Sequence, residues 1–248
     1  MSTGSKFHGT GTEPDSPAVV YAFGEAGSGA AAWKSYRTML AGLAEVRAVR
    51  LPGRESRHCE SPLGSVREQL DDLADEVATL VDQDERPFIV VGLCAGALSA
   101  FELARHLASR TGHGPAGLVV GGQHAPSLVP GDSSPVHTYS REEFRAWCET
   151  NLSDRPELGD QAAFEFFAPM LQADFSVVSS YRFEPLPLLA CTVTAVCEEA
   201  DEERTRGWAQ TTAGAFTLCC VAAPVTTGSL VPPTASQLAA LTCSRRPV

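Results

Sequence analysis

The run Pro87-Phe88-Ile89-Val90-Val91-Gly92-Leu93-Cys94-Ala95-Gly96-Ala97-Leu98 passes from an apolar segment into a helical one through Gly-x-Cys-x-Gly. Residues 88–91 are apolar and largely β-branched, as in a strand buried on both faces. Residues 95–109 place Ala97, Leu98, Phe101, Leu103, Ala104 and Leu107 mostly on one side of a helix. Strand, two-glycine turn and helix in this order predict a nucleophile elbow. Such a turn holds its apical residue in a strained conformation, and the flanking glycines let the helix pack close. The apical residue here is a thiol, Cys94, where a serine is usual. Most free cysteines are small buried hydrophobes; the strand on one side and the helix on the other favour a nucleophile.

The rest of the chain repeats the alternation. Strand-like runs at Val19–Phe23, 45–51, Gly117–Gly121, 192–196 and Phe216–Val221 are interleaved with helical runs at about 30–41 and 65–82. The pattern predicts the α/β class, a mostly parallel central sheet flanked by helices, in a single domain over residues 17–248. Residues 1–16, rich in Gly, Ser and Thr, read as a flexible arm. An insertion at about 127–189 has helical runs at 142–151, 161–171 and 175–181, with Phe144, Trp147, Phe164, Phe166, Phe167 and Phe175. It reads as a helical lid whose aromatics mostly pack on one another, some of them placed around a substrate channel.

Composition narrows the function. A formal charge of −11 argues against a nucleic-acid surface, which needs clustered Lys and Arg. A local patch of Arg50, Arg54 and Arg57 remains available to an acidic protein partner. Without a long apolar stretch or an apolar leader, the expectation is no membrane and a cytoplasmic location. The eight cysteines form no Cys-x-x-Cys pair, so neither zinc nor a disulfide framework is expected, and most read as reduced core residues.

Several segments carry a resemblance: Phe23-Gly24-Glu25-Ala26-Gly27, Leu51-Pro52-Gly53-Arg54-Glu55-Ser56-Arg57, the elbow with Phe101-Glu102-Leu103-Ala104, Ala125-Pro126, and Pro169-Met170-Leu171-Gln172-Ala173-Asp174-Phe175. Together they resemble the type II thioesterases of polyketide and nonribosomal peptide synthesis over nearly the whole chain after residue 17. The resemblance implies an α/β-hydrolase fold with a helical lid. It implies substrates that are acyl or aminoacyl groups on the phosphopantetheine arm of an acyl or peptidyl carrier protein, with no other cofactor. It also implies an oxyanion hole from the Ala95 amide and the Glu25–Ala26 loop, and Glu25 and Leu93 are the candidate substrate contacts.

The departures from the family pattern are chemical. The elbow usually reads Gly-His-Ser-x-Gly, so Leu93 and Cys94 both differ. The family's histidine is expected after the last strand, where Ala222-Ala223-Pro224-Val225-Thr226 puts Val225. An acid is expected just after the strand at 192–196, where Glu198, Glu199 and Asp201 lie. His124, directly after the strand Gly117–Gly121, is the candidate substitute base; His8, His58, His106, His113 and His137 are weaker. A thiol ionises near pKa ~8.5 and can be drawn lower at a helix N-terminus, so it needs less help from a base than a serine does.

The sequence therefore predicts an enzyme that forms an acyl-Cys94 intermediate, with His124 and Asp201 as the supporting catalytic residues. Thioester exchange is nearly isoenergetic, whereas hydrolysis of acyl-cysteine still needs an activated water. Acyl transfer or cyclising release is favoured on that ground. An editing thioesterase that hydrolyses stalled chains, and a catalytically inactive scaffold for a synthase, are the alternatives.

Overall fold

The computed structural model describes residues 6–9, 13, 15–110, 114–129, 134–152, 156–222 and 224–244. His113 and Ala223 lie outside them, as does most of the expected arm. Seven strands form one sheet: β1 (Phe7–His8), β2 (Val19–Phe23), β3 (Glu45–Val49), β4 (Phe88–Leu93), β5 (Gly117–Gly121), β6 (Thr192–Glu198) and β7 (Phe216–Val221). Their order across the sheet is β1-β3-β2-β4-β5-β6-β7. Every pair is parallel except β1 with β3. The chain runs outward from β2 to β3 and then returns past β2 to β4. That reversal opens a crevice at the carboxyl ends of β2 and β4, where α/β sheets build their sites.

Helices α1 (Lys34–Met39), α2 (Val66–Gln83), α3 (Ala95–Arg110), α4 (Arg141–Asn151), α5 (Gln161–Ser180), α6 (Glu202–Thr205) and α7 (Val231–Ser244) complete the fold. Alternate strand residues point to opposite faces of the sheet. Val19, Tyr21, Phe23 and Val90 meet Leu73 and Val77 of α2 and Phe101 and Leu103 of α3 on one face. Val20, Ala22, Ile89 and Val91 meet Trp33, Tyr36 of α1 and Leu238 of α7 on the other. Ser65 starts α2 by accepting the Glu68 amide, and Ser140 with Glu143 forms a reciprocal cap on α4.

The insertion between β5 and β6 holds α4 and α5, which enclose their own cluster of Phe144, Phe164, Ala168 and Leu171. Val177 and Tyr181 join the insertion to Val66 and Leu98. Beyond shifted boundaries, and a 3-10 turn at Ala30–Trp33 ahead of α1, two differences from the sequence reading bear on the fold. Phe7 and His8 of the expected flexible arm form a strand on the sheet edge, and Phe7 is 3% exposed. Two residues are too few to show a period. The helical runs at 161–171 and 175–181 are one helix that continues through Pro169. Proline leaves the carbonyl four residues back without its helical donor. That residue is Glu165, and both positions are exposed, so water can satisfy it.

Candidate active site

Cys94 occupies the turn between β4 and α3 with φ +53°, the left-handed region that a side chain enters only where its surroundings compel it. Its amide donates to Gly121 O at 2.8 Å, and its carbonyl accepts the Ala97 amide at 2.9 Å. The two elbow glycines are dictated by close approach. A Cβ at Gly92 would lie 2.4 Å from Gly96 O, and one at Gly96 would lie 2.4 Å from Gly24 O. No side chain fits between β4 and α3, or between α3 and the end of β2. This packing brings the loop that leaves β2 against the start of α3, and the backbone N–H groups of Ala95 and Ala26 both interact with the Cys94 sulfur. Two converging N–H groups stabilise negative charge developing beside the sulfur.

The thiol itself does not follow the sequence expectation. Burial pushes its pKa up, and the negative charges of Glu25 and Asp174 push in the same direction against the two amides. The N-terminal end of α3 does not outweigh these effects, so the resting group is a thiol.

Val225, the position to which the resemblance assigned a histidine, lies against the end of β5. A Cβ on Gly121 would fall 2.9 Å from Val225 Cγ1, and Val225 and Cys94 pack against the same apolar cluster. His124 and Asp201 are brought together: His124 Nε2 lies 3.3 Å from Asp201 Oδ1. Asp201 sits in the 3-10 turn Glu199–Asp201 that follows β6 directly, because β6 extends to Glu198. The loop holding His124 is fixed to the same region by Gly122 N to Val196 O at 3.0 Å and Ala125 N to Arg204 O at 3.0 Å. Asp201 is 45% exposed, so it is solvated on one side and holds the imidazole on the other. Of the candidate substrate contacts, Glu25 is exposed, whereas Leu93 is 2% exposed and belongs to the core.

The arginine patch is not an open docking surface. Arg54 and Arg57 are 7% and 2% exposed. Arg57 pairs with Glu60 and Asp72, and Arg50 pairs with Glu55 at 2.7 Å. Arg54 pairs with Asp174 of α5 at 2.7 Å. Sequence reasoning gave Asp174 no role and placed Arg54 in a surface patch for an acidic partner. The available signal was a single carboxylate among Met170, Leu171, Phe175 and Val177, which in a buried helix requires a cationic partner.

No helix among the described residues is long and apolar enough to cross a membrane. No group of three or more His, Cys, Asp or Glu among them is placed to hold a metal ion.

A family model described as a thioesterase domain matches residues 18–229. The chain is 32% identical over 200 residues to the gramicidin S biosynthesis protein GrsT of Aneurinibacillus migulanus, covering 78% of this chain and 76% of the relative. It is 30% identical over 212 residues to the thioesterase PikA5 of Streptomyces venezuelae, covering 83% and 73%. Among solved structures, it is similar to the type II thioesterase BorB from the borrelidin biosynthetic cluster, with a TM-score of 0.75, 26% identity, and 99% and 97% of the two chains covered. RedJ, a thioesterase from the prodiginine pathway of Streptomyces coelicolor, gives a TM-score of 0.71 at 29% identity, covering 93% and 87%.

Proposed function

The chain belongs to the thioesterase domain family, and from that membership we propose that it is a type II thioesterase of polyketide or nonribosomal peptide biosynthesis that works through an acyl-Cys94 intermediate. The observation that carries this reading is the convergence of the Ala26 and Ala95 amides on a sulfur held at the apex of a strained turn. Its substrate is an acyl thioester on the phosphopantetheine arm of an acyl or peptidyl carrier protein. Helices α4 and α5 serve as the lid.

In the first step the Cys94 sulfur attacks the thioester carbonyl and the two amides hold the resulting oxyanion. The new acyl–Sγ bond forms as the bond to pantetheine sulfur breaks. The Cys94 proton leaves through His124, held by Asp201, and ends on the departing thiol. The acyl group then passes to an amine, a hydroxyl or a second thiol. Transfer over release to water is favoured by Val225, an aliphatic side chain packed with Cys94 against one apolar cluster at the position to which the resemblance assigns a histidine. A second reading, hydrolytic editing, is favoured by the His124–Asp201 pair, which has the composition of a base and its orienting acid.

The test offers the protein an acyl-pantetheine donor with and without a candidate amine, alcohol or holo-carrier acceptor and quantifies transferred, cyclised and free-acid products. Transfer or cyclised product that grows with acceptor supports the proposal. Free acid alone, whatever acceptor is supplied, leaves the editing reading, and no product or adduct at all leaves an inactive scaffold.

A further inference from the structure

The loop that presents Ala26 is held from two sides. On one side Gly96 of α3 lies against the carbonyls of Phe23 and Gly24, so closely that a Cβ there would stand 2.7 and 2.4 Å from them. On the other side the loop is gripped by two residues from distant parts of the chain. Asp174 Oδ2 accepts the Gly27 amide at 2.7 Å, and Arg54 Nη1 donates to Ser28 O at 2.8 Å. Arg54 Nη2 and Asp174 Oδ1 close the arrangement at 2.7 Å. Both side chains are buried, Arg54 at 7% exposed and Asp174 at 4%.

Burying two charges is costly, and an apolar pair of similar volume is often as stable. Packing alone therefore does not account for this pair. Its other hydrogen bonds all go to the backbone on either side of one peptide plane, Gly27 N–H and Ser28 C=O, one residue beyond Ala26. Gly27 has φ +78°, a conformation that fixed partners are needed to hold in one orientation. Asp174 further belongs to α5, within the insertion.

We propose that Arg54 and Asp174 are positioning residues that set the Ala26 amide for the acyl oxyanion and make its placement depend on the seating of α5. This inference rests on the acyl-Cys94 reading. A substrate that lifts α5 away loosens the Gly27 amide from Asp174 and with it the neighbouring Ala26 donor. The oxyanion hole is then complete only once the helix is seated over the bound chain.

Two reactions of the same sulfur separate this role from a structural one. Acylation by an acyl-pantetheine thioester develops an oxyanion, whereas alkylation by iodoacetamide does not. In Asp174→Asn the acylation rate at saturating thioester should fall by about 10²-fold, the scale of a lost oxyanion donor. Alkylation should stay the same or rise, because burial is the main effect that raises the thiol and the variant removes one of the smaller effects pushing the same way. Asp174→Glu, which keeps the charge, should restore part of the acylation rate. The paired replacement Arg54→Met, Asp174→Leu leaves no unpaired buried charge and is read in place of a single variant that fails to fold; it should show the same split. Folded variants whose acylation is unchanged, or falls only in step with alkylation, would overturn the inference. A wild-type chain that alkylates but never acylates at Cys94 overturns the functional reading instead.

Discussion

His124 Nε2 stands 3.3 Å from Asp201 Oδ1, each at the exit of a neighbouring parallel strand, β5 and β6. Strand order alone makes this pairing possible, since the residues are 77 apart in sequence. If the pair manages the proton of Cys94, His124→Ala should lower the acylation rate by about 10²-fold or more. Asp201→Asn should cost less, because the imidazole stays while losing its orientation. Stopped-flow release of pantetheine thiol measures both; equal rates in all three proteins would remove the pair from the mechanism.

The thiol's raised pKa sets a pH dependence. Alkylation of Cys94 should still be climbing above pH ~8.5, where an ordinary thiol is half ionised. A plateau already reached near neutral pH would show that the thiolate is stabilised after all.

The same sign governs stability. Burial pushes the Cys148, Cys191 and Cys197 thiols up to about 11. A pKa raised in the folded state contributes stability that is fully present below the unfolded value and is lost as pH rises through the folded one. Urea unfolding midpoints should therefore decline between pH ~8.5 and 11, over and above the effect of other groups. Cys191→Ala, which removes one of these titrations, should flatten the decline.

Much of this arrangement was legible in the sequence because it is local. Residues 88–98 announced the elbow through two glycines that the structure shows are required by backbone contacts at 2.4 Å, and the β5 and β7 boundaries fell where turn residues bracket short apolar runs. What escaped notice depends on distant partners. Arg54 and Asp174 are 120 residues apart, and nothing near either one shows that they grip the same loop. The thiol's direction of shift was misjudged because the helix terminus is visible in the sequence, whereas the burial and the Glu25 and Asp174 charges around the sulfur are not.

The elbow glycines offer a stability test. Gly96→Ala places a methyl group 2.4 Å from Gly24 O, so either α3 or the Ala26 loop must move. A loss of about 1–3 kcal/mol, typical of overpacking, should accompany a drop in acylation larger than the drop in alkylation. Equal effects on the two reactions would mean that the loop tolerates the shift.

The resemblance assigns a histidine to the position of Val225, which packs with Cys94 against one apolar cluster. Cys94→Ser with Val225→His should raise the ratio of free acid to transferred product, because a serine ester and a nearby base suit activated water. An unchanged ratio in a folded double variant would mean that position 225 does not control the fate of the acyl group.

The intermediate itself is the sharpest point of test. A single turnover with an acyl-pantetheine thioester, quenched in acid and followed by intact mass and peptide mapping, should show one acyl group on the peptide containing Cys94, absent in Cys94→Ala. An adduct that persists in Cys94→Ala, or turnover of the thioester by that variant at the wild-type rate, would mean that the sulfur at the elbow is not the nucleophile.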